Sequence, residues 1–245
     1  MKSSIVLLFL FSLYGFSNEE QDFKFQQANQ LYQQSAYDQA IEVYLDLLKL
    51  RPTDSTLFYN LGNSYFKKNE NGKAIYYFRK ALELKPRDGD IKYNLDLARG
   101  KTVDKIERPL TFQSRLFFLS ESFSYSECLI LVTIAGFLVF VSFIIAIFFQ
   151  SEVIRSLKIV CVCLLVFALF IAAGHIGVSS RIGVITAGEA NVFSSIGKDN
   201  VVLFTVHEGA EFKIGQTHDD QWIQVIVSDD QKGWTQASNA IFDRQ

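Results

Sequence analysis

Two uninterrupted apolar runs, Cys128–Phe149 and Ile159–Val178, constrain this chain more than any other feature. As helices they rise to about 33 and 30 Å, against a bilayer hydrocarbon core of about 30 Å, so each is long enough to cross. Neither holds a Lys, Arg, Asp or Glu, any of which would cost roughly 2.5–3.5 kcal/mol at the centre of a span. A third run, Ile5–Phe16, is too short to cross. With Lys2 before it and the small residues Gly15 and Ser17 at its end, it has the layout of a secretory signal cleaved before Asn18, or of a retained anchor. All 24 Lys and Arg and all 26 Asp and Glu fall outside these three runs, so the 49% hydrophobic content is a mixture of greasy segments and ordinary soluble ones. The expected architecture is multi-domain, with soluble modules joined by membrane segments. A net charge of −2 excludes a strongly basic nucleic-acid binder and a disordered acidic tail.

The connection between the two runs, residues 150–158, carries Arg155 and Lys158 against Glu152. The positive-inside rule places it in the cytoplasm and both flanking modules outside. All three cysteines, Cys128, Cys161 and Cys163, sit within the runs, so the soluble modules have neither a disulfide framework nor a Cys-based zinc site.

The N-terminal module repeats itself at an offset of 34: Ala28 falls on Gly62, Ala40 on Ala74, Tyr44 on Phe78, Leu47 on Ala81, Pro52 on Pro86, and Tyr59–Leu61 on Tyr93–Leu95. Such a period marks a helical repeat array. The copy containing Leu61, Gly62, Tyr65, Ala74, Phe78, Ala81 and Pro86 resembles the tetratricopeptide repeat, which implies an α-helical solenoid of antiparallel helix pairs. The repeats cover about 21–54 and 55–88 of a domain spanning 18–100, and the helix 89–100 is expected to act as a cap, its Leu95, Leu97 and Ala98 covering the face left by Ile75, Phe78 and Leu82.

Arrays of this kind display the faces of their first helices as a groove for a peptide or partner helix. Here that face presents Asn29, Tyr32, Tyr59, Asn60, Asn63, Phe66, Lys67, Tyr93 and Asn94 as the candidate protein-binding groove. The same residues could instead be merely solvated, or meet the membrane helices. A two-asparagine carboxylate clamp, known in part of the family, is not expected: Phe25, Asp90 and Asn94 stand where it needs cations.

Pro109 breaks any long helix between the repeats and the first span, and residues 101–127 read as a linker or an interfacial helix. Beyond Arg181 the pattern alternates, with short β-prone runs at 191–193, 201–206, 210–214, 222–227 and 233–235. VHEG at Val206–Gly209, DQWIQV at Asp220–Val225 and Gly233–Trp234 resemble the bacterial SH3-type domain, implying a small all-β barrel over 182–245. Trp222 and Trp234 either line a ligand surface, for peptides or peptidoglycan stems as in some members of that family, or fill the barrel core. Asp219–Asp220 and Asp229–Asp230 read as turn residues.

No nucleophile with its base, metal cluster or phosphate-binding loop is legible, so neither enzyme nor cofactor is expected. The order of modules, with the YNLGNSYF and FTVHEG segments, resembles the BatE-type proteins of the bacterial aerotolerance (Bat) family. That resemblance implies a bacterial inner-membrane protein with periplasmic soluble modules, working beside von Willebrand A-type membrane proteins and a MoxR-type AAA+ ATPase. Its expected role is a non-enzymatic scaffold or adaptor in envelope stress tolerance; the alternative is a sensor of peptidoglycan or another ligand.

Overall fold

A computed structural model describes residues 19–104, 122–149, 151–178, 182–197, 200–228 and 230–243. The run Ile5–Phe16, most of the stretch 101–127 and Asp229 lie outside them. Five helices come first: α1 (residues 19–33), α2 (Tyr37–Leu50), α3 (Ser55–Lys67), α4 (Asn71–Leu84) and α5 (Gly89–Gly100). The offset of 34 is written into their packing. Ala28, Ala40, Ala74, Ala81 and Leu61 are fully buried, and Tyr44, Leu47 and Phe78 are at most 1% exposed. Small residues at the crossings let the helices approach, and the rings fill the space between pairs. The first turns of α3 and α5 are capped alike: Asp54 accepts from Thr56 N and Leu57 N, and Asp88 from Asp90 N and Ile91 N.

Two long helices follow, α6 (Tyr125–Phe148) and α7 (Glu152–Val178), both long and apolar enough to cross a membrane. They meet along a seam of mostly small side chains, with Cys128, Ala135 and Ser142 on α6 and Cys161, Ala168 and Ile171 on α7 buried. Phe137, Phe140, Val160 and Phe167 are exposed on the outer faces, as a bilayer would require. α6 starts three residues earlier than its apolar run because Ser124 and Glu127 form a capping box. α7 starts seven residues earlier, with Ser151 Oγ accepting from Ile154 N, so Arg155 and Lys158 belong to the helix and not to a nine-residue loop.

The C-terminal module is an antiparallel seven-stranded sheet: β1 (Ile182–Ile185), β2 (Glu189–Phe193), β3 (Val202–His207), β4 (Glu211–His218), β5 (Trp222–Ile226), β6 (Lys232–Gln236) and β7 (Ala240–Ile241). Their order is β3-β2-β6-β5-β4-β1-β7, and no pairing joins β3 to β7 among the described residues. One face buries Val192, Val206, Phe212, Ile223 and Val225. Asp219 and Asp220, at φ of 49° and 53°, make the left-handed turn between β4 and β5.

The sheet docks on the repeats. Val184 of β1 is fully buried within the repeat core, and Ile241 of β7 packs against that core. α5 completes only half of a third helix pair, so α4 would otherwise expose the flank that a following second helix covers. β1 and β7 stand there instead.

Candidate protein-binding groove

The first helices of each pair, α1, α3 and α5, lie side by side and carry the candidate residues. Two polar clusters bind them together. Asn29 Oδ1 accepts from Tyr44 Oη at 2.7 Å and from Asn60 Nδ2 at 3.3 Å. Asn94 Nδ2 donates to Tyr59 Oη at 2.8 Å and to Asn63 Oδ1 at 3.2 Å. Burial pushes the Tyr44 phenol up to about 12, with the neighbouring Tyr32 adding to it, so it remains a neutral donor at any physiological pH. These asparagines therefore spend part of their hydrogen-bonding capacity on bracing one helix against the next.

What remains for a ligand is clearer at the α5 end. Tyr93 is 65% exposed and Leu97, one turn later, is 42% exposed. Lys101 Nζ lies over the Phe66 ring at 4.1 Å from its centroid, and Lys67 is exposed. Tyr32, by contrast, packs edge-on against Tyr37 at 5.5 Å, and Tyr59 leans on Phe78 at 5.9 Å. Both are half-buried. Leu97 does not cover the core as its apolar character suggests. Shifted by 34 it falls on Asn63, a groove position, while Ile91, Leu95 and Ala98 bury the opposite stripe of α5. The repeat period, applied to Leu97, identifies it as a groove residue.

The two tryptophans share one face of the sheet. Register pairs Trp222 with Gln236 and Gln224 with Trp234, while the buried positions Ile223, Val225, Gly233 and Thr235 alternate with them. Both rings thus lie opposite the core and are half-buried. Phe193 joins them, pairing with Trp234 in register and meeting Trp222 edge-on at 5.9 Å.

A polar junction between repeats and sheet has no counterpart in the candidate residues read from sequence. Glu211, with an 11% exposed side chain, is held by Arg79 Nη1 at 2.5 Å and by Arg99 Nε at 2.7 Å and Nη2 at 3.2 Å. Glu208 Oε1 accepts from Gly72 N, in the first turn of α4, at 2.9 Å. Asp243 accepts from Tyr76 Oη at 2.7 Å and pairs with Lys80. Asp104 takes the backbone N of His207 at 2.6 Å and lies 3.0 Å from its ring Nδ1. Two glycines permit this approach. A Cβ on Gly72 would stand 2.2 Å from Ile185 O, and one on Gly209 2.2 Å from Thr102 Cγ2.

Among the described residues no His, Cys, Asp and Glu gather in a group of three or more able to hold a metal ion. The face presents aromatic rings, amides and two lysines. Residues 28–69 match the family model described as TPR repeat and residues 55–88 the one described as tetratricopeptide repeat. No curated protein matches this chain. The chain carries tetratricopeptide repeats, which are typically non-catalytic modules for protein–protein interaction.

Proposed function

We propose that this chain is a membrane-anchored adaptor that holds a protein partner in the groove of α1, α3 and α5. The observation that carries the reading is the asymmetry of the repeats. Their far flank is covered by the chain's own sheet, while Tyr93 and Leu97 stand exposed in the groove. In full, the reading comprises a signal or anchor in 1–17, repeats in 18–100, two spans, and an SH3-like module in 182–245. Docking of sheet on repeats supports a hairpin that returns both modules to one side of the bilayer. Arg155 and Lys158 near its tip support a cytoplasmic tip, and hence periplasmic modules. The Bat-type order of modules nominates von Willebrand A-type membrane proteins and a MoxR-type ATPase complex as partners.

The test uses side chains whose removal leaves the core intact. Tyr93→Ala with Leu97→Ala is expected to abolish co-purification of the partner while the melting temperature stays within the range of other surface changes. Retained co-purification would overturn the groove reading. A second reading, a sensor of peptidoglycan or another ligand, is favoured by Phe193, Trp222 and Trp234 sharing the non-core face of the sheet. It requires that purified cell wall retain the protein, and that Trp222→Ala lose that retention.

A further inference from the structure

We infer that the repeats stand upright on the bilayer, and that the edge formed by the start of α1 and the turns at residues 51–54 and 85–88 rests in the lipid interface through Phe23 and Leu50. The inference depends on the reading of α6 and α7 as membrane-spanning. Two independent contacts set the orientation. Arg87, in the turn after α4, pairs with Glu127 in the first turn of α6 and lies over the Phe123 ring at 5.5 Å. At the other junction, α7 ends at Val178 and β1 begins at Ile182, a separation the backbone can span by no more than about 14 Å. β1 therefore leaves the membrane surface at Ile182 and climbs to Ile185.

α4 runs antiparallel to that climb. Its first turn meets the upper end of β1, since Gly72 lies against Ile185. Lower down, Tyr76 and Lys80 reach Asp243, which follows β7 towards the Ile182 end, Ile241 being opposite Val184. Both routes put the C-terminal end of α4 next to the lipid.

Because neighbouring helices of the array are antiparallel, every inter-repeat turn lies on that same edge. Ser55 Oγ, at the start of α3, donates to Ala81 O near the end of α4. Arg51 reaches Gln21 and Asp22 at the start of α1. The turns at 34–36, 68–70 and 101–104 face away.

The edge so defined carries large apolar side chains that no other described residue covers. Phe23, in the first turns of α1, is 72% exposed, and Leu50, the last residue of α2, is 59% exposed. Lys49 beside them pairs with Asp46, as Arg87 does with Glu127. These pairs offset part of the local charge, and the proposed contact rests on apolar insertion, worth about 25 cal/mol per Å² removed from water. In consequence the groove opens sideways just above the membrane.

The test places a photoreactive benzoylphenylalanine at Phe23, Leu50, Asn69 or Phe140 of the full chain in phosphatidylcholine vesicles and reads lipid adducts by mass spectrometry. Adducts at Phe23, Leu50 and Phe140 with none at Asn69 are expected. Adducts at Phe140 without any at Phe23 and Leu50, or an equal yield at Asn69, would overturn the orientation while leaving the spanning hairpin intact. No adduct at Phe140 would remove the spanning reading, and this inference with it.

Discussion

At the scale of single residues, the array depends on how closely its helices approach. Gly62 sits where α3 crosses α4, and a Cβ there would lie 2.5 Å from Phe78 Cδ1. Phe78 is fully buried and has nowhere to retreat. Gly62→Ala gains about 1 kcal/mol of helix propensity but overpacks a rigid core, which costs about 1–3 kcal/mol; chemical denaturation is expected to show net destabilisation of about 1 kcal/mol. A second residue-scale prediction concerns acid. Burial alone would raise the Glu70 carboxyl, but hydrogen bonds from Lys68 and Lys73 outweigh it and hold it below its ordinary value of 4.5. A depressed carboxyl contributes stability that is fully present above the unfolded value and is lost as pH falls through the folded one. The stability gap between wild type and Glu70→Gln, followed by thermal unfolding, is therefore expected to be full at about pH 6 and to shrink as the pH is taken below the ordinary value of 4.5. A constant gap across that window would mean that Glu70 contributes by packing alone.

Among elements, the helix-to-helix turns repeat as faithfully as the helices. Ser35 and Asn69, 34 apart, both adopt left-handed backbone at φ of 62° and 60°. Each turn closes with the same long hydrogen bond, Ala36 N to Leu31 O and Glu70 N to Tyr65 O. This is the helix ending that ordinarily takes glycine. Asn tolerates the conformation through its short polar side chain; Ser does so less well. Ser35→Gly is accordingly expected to stabilise the repeats by about 0.5–1 kcal/mol in denaturant titration. The turn before Lys73 is legible from its Asn and Gly residues, whereas the left-handed backbone at Ser35 is not, because a Ser there signals a loop of any kind. The helices were legible, since the period of 34 fixed which faces are buried. Where that period was not followed through, at Leu97, apolar character misled: a leucine on a groove face looks like a core residue until it is aligned with Asn63. The early start of α6 was available in the Ser124–Glu127 spacing, which an apolar-run criterion ignores. β1 is not legible because its four residues are too few to show an alternating period.

For the whole molecule, the informative contact is the one that sequence order conceals. Arg79, Arg99 and Glu211 lie in three separate elements, and no local pattern brings them together. Yet the Glu211 side chain is only 11% exposed and that of Arg79 14%. The carboxylate compensates two guanidinium groups, one from α4 and one from the last turn of α5, at the join where the sheet takes the place of a missing helix. Breaking such a pair from one side leaves charge without a partner in a partly dry site, which costs about 3–5 kcal/mol when burial is complete. The Arg99 side chain is 39% exposed, so solvent recovers part of that loss, and about 2 kcal/mol is the expected cost of Glu211→Ala. If the sheet serves as the terminal cap of the array, the loss will not stay local. Hydrogen exchange is expected to accelerate together in β1, β4, α4 and α5, with α1 and α2 least affected, because each repeat is stabilised mainly by its neighbours. Faster exchange confined to β1 and β4 would show instead that the repeats stand without their sheet, and that the two modules merely touch.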